Sequence, residues 1–177
     1  MNLYVVDDLY LTEIRPSDKS AFIEHLSDKG IYDNTLRIPY PYTEADADWW
    51  IQYVAKVAQR EGRPLHWAIR KGPDLIGCCA MDGVELGKSH RAEIGYWLAR
   101  PYWGQGMMTA VVRVACELAF RELGLLKLTA TVFDFNRGSA RVLEHCGFEL
   151  EGRLRKHYRK DGKIIDALLY GRVKAED

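Results

Sequence analysis

Apolar and polar residues alternate along this chain with two different periods. Segments with alternating or continuous apolar residues, both typical of strands, cover residues 9–15, 66–70, 75–81, 90–99, 125–133, 148–158 and 164–173. Segments in which apolar residues recur every three or four positions, typical of helices, cover residues 18–28, 43–60, 105–123 and a short stretch between Asn136 and Gly147. This order of elements predicts an α/β (α+β) fold with one mixed sheet and helices on both of its faces.

Residues that favour the ends of helices support these boundaries. Ser17 is the predicted N-cap of the first helix, and Thr43 followed by Asp46 resembles the capping box of the second. Gly124 is placed to end the third helix. Between the first two helices, residues 30–42 carry two prolines and three tyrosines, which predicts an ordered loop rich in aromatic side chains.

The strand at residues 90–99 has two chemically different faces. Every second residue on one face is apolar: Ala92, Ile94, Tyr96 and Leu98. The alternation of a strand places Glu93 on the opposite face. The helix at residues 105–123 is apolar except for one stripe at four-residue spacing: Thr109, Arg113, Glu117 and Arg121. This pattern predicts a helix that is buried against a sheet over most of its circumference.

Composition and charge narrow the class of protein. The 177 residues fit one domain over residues 1–177, and 47% hydrophobic with 28% charged residues is typical of a packed globular core. The formal net charge is zero, which argues against a broad nucleic-acid surface. No apolar run approaches the roughly 18 residues that a membrane span needs, and the N-terminus lacks a signal-peptide pattern. We therefore expect a cytoplasmic protein with no membrane segment.

The cysteines and histidines predict neither a metal site nor a disulfide framework. The four cysteines form no C-x-x-C pair, and they lie among apolar neighbours in predicted strands and helices: Cys78, Cys79, Cys116 and Cys146. The five histidines show no metal-ligand spacing. We expect reduced cysteines in the core, no metal, and no covalent catalysis by a thiol.

The most informative segment is RPYWGQGMMTAVV at residues 100–112. A predicted strand runs here into a turn with Gly104 and Gly106, and then directly into the long helix. A helix N-terminus has unpaired N–H groups and a partial positive charge, and glycines let a phosphate approach the backbone closely. The segment therefore predicts a ligand that carries phosphate, with a tight turn that binds nothing as the alternative. The glycine turn is not followed by the Lys-Ser/Thr of a nucleotide-binding phosphate loop, which argues against a kinase or nucleotide-binding domain.

Two further segments accompany this turn: AEIGYWL at residues 92–98 and NRGSARVLEHCGF at residues 136–148. Together with YWGQG at residues 102–106 they resemble the GNAT superfamily of acetyl-CoA-dependent N-acetyltransferases. Within it, the chain is similar to the RimJ/RimL (ribosomal-protein N-acetyltransferase-like) branch. The resemblance implies a single GNAT-type domain with a mixed, mostly antiparallel central sheet. It also implies a transferase, of the acyltransferase class, that uses acetyl-CoA and releases coenzyme A.

The resemblance further implies which residues bind coenzyme A. The pyrophosphate would lie on the glycine turn and the first helical turn, formed here by Trp103, Gly104, Gln105, Gly106, Met107, Met108 and Thr109. The end of the preceding strand would pair through its backbone with the pantetheine arm, which points to Trp97, Leu98 and Ala99. Pro101 stands where the superfamily often has Gln or Arg, so one side-chain contact is missing.

The third motif adds three candidate cofactor contacts. Asn136 would hydrogen-bond the pantetheine, Ser139 would lie near the thioester sulfur, and Arg141 would reach the adenosine end. Each has an alternative explanation from the residues alone: Asn136 can serve as a plain helix cap, and Arg141 as a solvated surface arginine.

Acetyl transfer to an amine needs a base for the ammonium and an acid for the leaving thiolate. Glu93 is the leading candidate base, since it lies on the strand expected to hold the thioester; a salt-bridged or surface glutamate is the alternative. Ser139 and Tyr158 are candidate acids. Some ribosomal-protein acetyltransferases carry a glutamate at about the position of His157 and Tyr158, and this difference weakens the case for a ribosomal substrate.

Aromatic residues before and on the second helix are the candidate wall of the acceptor site: Tyr32, Tyr40, Tyr42 and Trp50. Trp49 and Trp50 are adjacent on a helix, so their side chains point about 100° apart, and we expect one in the core and the other near the surface.

The acceptor itself stays open between a protein N-terminus, an amino acid, a polyamine and an amine-bearing toxin, although zero net charge argues mildly against polyamines. A non-catalytic coenzyme A-binding sensor or partner module is the competing function. No direct nucleic-acid partner and no membrane partner are expected, and the resemblance leaves a homodimer open.

Overall fold

The structure is a computed structural model that describes residues 2–176. Within that range the strands are β1 Asn2–Val6, β2 Leu9–Glu13, β3 His66–Lys71, β4 Asp74–Asp82, β5 Arg91–Leu98, β6 Lys127–Phe133, β7 Glu149–Lys160 and β8 Lys163–Val173. The helices are α1 Lys19–Leu26, α2 Lys29–Asp33, α3 Glu44–Glu61, α4 Met107–Arg121 and α5 Arg137–His145, with 3-10 turns at Pro16–Asp18 and Arg100–Tyr102.

The eight strands form one sheet in the order β1-β2-β3-β4-β5-β6-β8-β7. Strands β5 and β6 pair in parallel. Strands β1/β2, β2/β3, β3/β4, β6/β8 and β7/β8 pair antiparallel. The predicted fold class, a mixed and mostly antiparallel sheet with helices, is confirmed.

The chain divides into two compact units. The first comprises residues 1–80 and 96–111, and the second comprises residues 81–95 and 112–177. Strands β4 and β5 and helix α4 contribute residues to both units. The single domain expected over residues 1–177 stays a prediction.

In the first unit, a buried cluster joins α1, α2, α3 and the β3–β4 hairpin. Its members are Phe22, Leu26, Ile31, Tyr42, Ala47, Ala68 and Leu75. Helix α3 begins with the predicted capping box: the Thr43 hydroxyl accepts from the Asp46 N–H at 3.3 Å, and the Asp46 carboxylate accepts from the Thr43 N–H at 2.8 Å. This reciprocal pair satisfies two N–H groups at the helix start.

The start of α1 differs from the prediction. A 3-10 turn precedes the helix, so its N-cap is Asp18, not Ser17. The Asp18 carboxylate is buried, accepts from the Arg15 N–H at 2.8 Å, and binds the Arg70 guanidinium through both oxygens at 2.7 and 2.9 Å. The Arg70 Nε donates to the Thr12 hydroxyl at 2.7 Å. Both charged groups of the Asp18–Arg70 pair therefore have hydrogen-bond partners, which an ion pair needs when it is buried.

The segment predicted as a continuous loop contains a short helix. Helix α2 occupies Lys29–Asp33, and the Asp28 carboxylate caps it by accepting from the Gly30 N–H at 2.6 Å. An additional strand, β1, precedes β2 at the sheet edge and was not predicted. The sequence signal for this strand is weak, because none of its five residues is fully buried and neither face is clearly apolar.

In the second unit, the C-terminal part of α4 is buried together with residues of β6, α5 and β8, among them Ala115, Cys116, Leu128, Leu143 and Tyr170. The predicted polar stripe is confirmed, because Arg113, Glu117 and Arg121 are exposed. Burial raises the pKa of the Cys116 thiol to about 12 and raises that of Cys146. Both thiols are therefore neutral at physiological pH, as expected for core cysteines. Among the described residues, no helix has the length and apolar character that a membrane crossing requires.

Candidate active site

The glycine turn of the first unit adopts the conformation that its sequence predicts. Gly104 and Gly106 have φ values of 72° and 76°, which non-glycine residues adopt only with strain. A Cβ built on either glycine would meet no other atom within 4 Å. The space beside both residues is therefore open, and the glycines are required for backbone shape and not for internal packing.

The main-chain amides of this turn have no main-chain acceptor among the residues that the structure describes. Within residues 2–176, the Trp103 N–H donates to the Arg100 carbonyl and the Ala110 N–H to the Gly106 carbonyl, and the structure shows no main-chain bond donated by the amides of residues 104–108 between them. Helix α4 begins at Met107, so its unpaired N–H groups and its positive dipole end lie in the same place. This arrangement fits a phosphate group, as the sequence predicted.

Side chains of the same segment hold the turn in shape. The Trp103 indole N–H donates to the Leu98 carbonyl at 2.6 Å, and the Gln105 side-chain amide donates to the Pro101 carbonyl at 2.7 Å. Trp103 and Gln105 were predicted to contact the cofactor. Their side chains support the turn from within, and a contact of either residue with the cofactor stays a prediction.

A long-range ion pair joins the turn to α2. The Arg100 guanidinium donates to both oxygens of Asp28 at 2.6 Å and lies 5.1 Å from the centre of the Trp103 ring. The hydrogen bond from Arg100 is the main cause that lowers the pKa of Asp28 to about 2 from its ordinary value of 3.8. Since bidentate pairs fix geometry, the Asp28–Arg100 pair connects the start of α2 to the residues that precede the amides.

This ion pair predicts a specific pH dependence of stability. A carboxyl group whose pKa is lowered by folding stabilises the protein above its ordinary pKa, and this contribution disappears as the pH falls from about 4 through 2. We expect Asp28→Asn to lower the urea midpoint of unfolding at pH 7, because asparagine keeps the helix cap and loses the ion pair. The difference from the parent should vanish near pH 2. An equal difference at pH 7 and pH 2 would contradict this role.

The end of β5 is engaged with β4 more fully than predicted. The Ala99 N–H donates to the Ile76 carbonyl at 2.8 Å, and a Cβ at Gly77 would collide with the Trp97 carbonyl oxygen. The Ala99 amide is thus already used by the protein, and the Leu98 carbonyl accepts from Trp103. Pairing of Trp97, Leu98 and Ala99 with the pantetheine arm stays a prediction.

In the second unit, Glu93 lies on β5 between the buried residues Ala92 and Ile94, and its own side chain is half-buried. In the parallel pair of β5 and β6 it stands opposite Thr129. Within residues 2–176 the structure shows no hydrogen bond or ion pair for the Glu93 carboxylate. A partly buried carboxylate that no cation neutralises is a suitable proton acceptor.

Helix α5 presents the third predicted group. The Asn136 side-chain oxygen accepts from the Ser139 N–H at 3.1 Å, so Asn136 is the N-cap of this helix. Ser139 is half-buried, and Arg141 is exposed. The cap function of Asn136 is present, and a cofactor contact by these three residues stays a prediction.

Tyr158 lies on β7 in the same unit, and its ring packs edge-on against Phe133 of β6 with 5.8 Å between ring centres. Phe133 precedes the Asn136 cap by three residues, and its carbonyl accepts from the Asn136 N–H at 2.9 Å. The structure therefore brings Tyr158 and the start of α5 into one neighbourhood. The motif spacing alone could not indicate this proximity.

Comparison with known proteins decides the family. The model of the Acetyltransferase (GNAT) domain matches residues 8–149. An uncharacterized N-acetyltransferase, p20 of Bacillus licheniformis, is 31% identical over 181 residues, which cover 99% of this chain and 98% of that protein. The chain belongs to the GNAT acetyltransferase family. Its predicted class, an acetyl-CoA-dependent N-acetyltransferase, and its predicted cofactor are thereby confirmed at the level of the family.

Two further similarities agree with this assignment. The L-amino acid N-acetyltransferase AaaT of Escherichia coli is 26% identical over 170 residues, 96% of this chain and 100% of that protein. The solved structure of RimL, a ribosomal L7/L12 α-N-protein acetyltransferase in complex with coenzyme A, superposes with a TM-score of 0.89 at 20% identity and covers 98% of both chains. The second similarity supports the GNAT fold.

The predicted acceptor wall of this GNAT chain is only partly at the surface. The rings of Tyr32 and Tyr40 lie 5.2 Å apart, half-buried and exposed respectively. Tyr42 is only 8% exposed within the core cluster, and burial raises its pKa. The loop folds the Tyr42 ring inward, and a substrate contact by Tyr42 stays a prediction.

The two adjacent tryptophans divide as predicted. Trp50 packs against the core cluster and lies edge-on to His66 at 5.3 Å between ring centres. Trp49 is 64% exposed and stacks on Tyr53 at 5.3 Å. Trp50 is the inward residue of the two. Because it is only half-buried, it can still contribute its exposed part to the acceptor wall.

Proposed function

We propose that this GNAT enzyme transfers the acetyl group of acetyl-CoA to the primary amine of a protein N-terminus or of an amino acid, in the cytoplasm. The observation that carries the proposal is the glycine turn, whose amides at residues 104–108 have no acceptor within the described chain. The family supplies the reaction class, and the activities of AaaT, an L-amino acid N-acetyltransferase, and RimL, a ribosomal-protein N-acetyltransferase, support these two kinds of acceptor. Four buried cysteines that form no disulfide within the described residues support a reducing compartment.

The glycine turn would bind the diphosphate. Gly104 and Gly106 leave room for phosphate oxygens, and the amides of residues 104–108 can donate to them. Bound acetyl-CoA supplies an activated acyl carbon and a thiolate leaving group. The end of β5 near Trp97 would contact the pantetheine arm of the cofactor.

Glu93 and Tyr158 would handle the protons. The Glu93 carboxylate accepts the proton that the ammonium must lose before its nitrogen can attack, directly or through one water. The new bond joins the amine nitrogen to the acetyl carbon, and the bond between that carbon and sulfur breaks. The nitrogen gives its second proton to solvent, and solvent restores the hydroxyl group that protonates the sulfur. The Tyr158 or Ser139 hydroxyl then donates a proton to the sulfur, so that free coenzyme A leaves as a thiol.

An assay of the protein with acetyl-CoA and a panel of different amines tests this function directly. Purified protein with acetyl-CoA should release free thiol in the presence of at least one amine, and mass spectrometry should find that amine heavier by one acetyl group. Binding of acetyl-CoA without turnover across peptides, amino acids and polyamines would instead support a non-catalytic coenzyme A sensor.

The β7–β8 hairpin predicts the charge of the preferred acceptor. Around Tyr158 it exposes a run of basic side chains: Arg155, Lys156, Arg159 and Lys163. Such a field attracts anionic acceptors and repels polycations. We expect a peptide with Ser-Glu-Glu at its N-terminus to be acetylated about tenfold faster at low salt than a matched Ser-Lys-Lys peptide, and spermidine to be poor.

Salt and substitution provide the controls for this preference. Raising the salt to about 0.5 M should bring the two peptide rates together, because exposed charges are screened. The double variant Arg155→Ala with Arg159→Ala should do the same at low salt. Equal rates for the two peptides at low salt, or rapid acetylation of spermidine, would contradict an acceptor site that favours negative charge.

A further inference from the structure

The second unit contains a bulge of three residues in the edge strand β7. Leu154 pairs with Ala167 of β8 and Tyr158 pairs with Ile165, so residues 155–157 stand opposite the single residue Asp166. Lys156, at the centre of the bulge, has a φ of 51°, a left-handed conformation that costs a lysine conformational energy. Bulges that persist at such a cost are common near functional sites, where they re-aim a side chain.

The Asp166 side chain holds this bulge in place. One carboxylate oxygen accepts from the Lys156 N–H at 2.7 Å, and the other accepts from the Arg153 Nε at 3.0 Å. The Arg153 guanidinium also donates to Asp134 at 3.1 Å. The Asp134 N–H in turn donates to the Asp166 carbonyl at 3.1 Å. We call these three side chains, Asp166, Arg153 and Asp134, the carboxylate latch.

The carboxylate latch connects the bulge to the start of α5. Asp134 lies directly after β6 and two residues before the Asn136 cap. The bonds from Lys156 and Arg153, in that order, lower the pKa of Asp166, so its carboxylate is charged at neutral pH. A bulge that served only to protect the sheet edge from aggregation would not require a tie to this loop.

The bulge decides where Tyr158 lies along β8. If the ladder continued unbroken from Leu154 and Ala167, Lys156 would pair with Ile165, and Tyr158 would pair with Lys163. Tyr158 would then be displaced by two residues, about 7 Å, towards the hairpin turn. Its contact with Phe133 would be lost. The observed position of Tyr158 therefore depends on residues 155–157 staying outside the ladder.

We propose that Asp166 is a positioning residue for acetyl transfer: through the carboxylate latch it fixes the bulge of β7 and so holds the Tyr158 hydroxyl where the leaving thiolate is protonated. This inference rests on the proposed function, and it adds a residue that touches neither substrate nor cofactor. Asp166 acts through Tyr158, so its substitution should affect turnover and not the binding of acetyl-CoA.

A double-mutant cycle tests this dependence. Asp166→Asn should lower kcat about tenfold or more, since displacing a catalytic group by about 1 Å can cost up to 100-fold, and it should leave the KM for acetyl-CoA within about twofold. In a Tyr158→Phe background the same substitution should change kcat by less than about twofold, because the group it positions is gone. Multiplicative effects of the two substitutions would overturn the proposal.

Two control variants separate positioning from general damage. Asp161→Asn makes the same charge change at the turn of the same hairpin and should keep parental activity. Glu149→Gln removes a charge from an exposed position at the start of the same strand, outside the bulge, and should also keep activity. If Asp166→Asn does not fold, Arg153→Gln takes its place in the cycle, because it breaks the link to Asp134 and leaves the bond between Asp166 and Lys156.

The ring contact provides a readout that does not depend on turnover. Nuclear Overhauser effects between the rings of Tyr158 and Phe133 should be present in the parent and lost in Asp166→Asn. If Asp166→Asn kept both the nuclear Overhauser effects and the kcat of the parent, the positioning role of the carboxylate latch would be overturned, and the proposed function would stand. A parent that shows the ring contact but acetylates no amine would overturn the proposed function, and with it the positioning role.

Discussion

Gly106→Val is expected to weaken the binding of coenzyme A at least about 100-fold, a loss of about 2.8 kcal/mol. Gly106 has a φ of 76° and open space beside it, next to amides that have no acceptor in the described chain. A valine here either forces the backbone out of this conformation, which re-aims the amides, or places two methyl groups where the phosphate oxygens approach. Titration calorimetry with coenzyme A measures the effect.

The chain offers a matched control for this substitution. Gly62 ends α3 with a φ of 71°, and a Cβ there also meets nothing within 4 Å. Gly62→Val therefore imposes a similar backbone strain away from the turn, and it should leave the affinity for coenzyme A within about twofold. If Gly106→Val bound coenzyme A as tightly as Gly62→Val, the diphosphate would not lie on the glycine turn.

Glu93→Gln is expected to have the largest effect on turnover. The substitution keeps size and hydrogen-bonding capacity but removes the proton acceptor, so kcat/KM for the amine at pH 7 should fall about 100-fold or more. The affinity for coenzyme A should stay within about twofold. The folded protein should not lose stability, because removing a half-buried carboxylate that has no partner in the described chain takes away an uncompensated charge.

The pH profile distinguishes a base from a structural glutamate. Loss of a base should be partly offset at high pH, where more of the amine is already deprotonated, so the rates of parent and Glu93→Gln should converge as pH rises. Glu149→Gln, an exposed position at the start of β7, serves as the control and should match the parent at every pH. A constant ratio between Glu93→Gln and the parent from pH 6 to about pH 10 would assign the base elsewhere.

Local sequence signals were sufficient for most elements of this fold. The alternation around Ile94, the apolar circumference of α4 and the capping box at Thr43 each depend on residues within a few positions, and each is confirmed. Ser17 failed as a cap because a 3-10 turn shifts the helix start to Asp18, whose carboxylate binds Arg70. That partner is distant in sequence, so no local pattern could indicate it.

The candidate site shows the same limit. Gly104 and Gly106 predicted a turn with positive φ values, since only glycine adopts such values without strain. The Asp28–Arg100 pair and the carboxylate latch around Asp166 join residues far apart in the chain, and neither was predicted. Tyr42 was assigned to the acceptor wall from its place in an aromatic loop, whereas the loop turns its ring into the core. Burial of a single side chain depends on tertiary packing that spacing does not encode.

A crystal structure of the enzyme with bound coenzyme A tests the central claim most directly. We predict diphosphate oxygens within about 3.2 Å of main-chain nitrogens of residues 104–108, with Gly104 and Gly106 keeping their positive φ values. A complex in which the diphosphate lies on side chains elsewhere, while these amides face only solvent, would contradict the account.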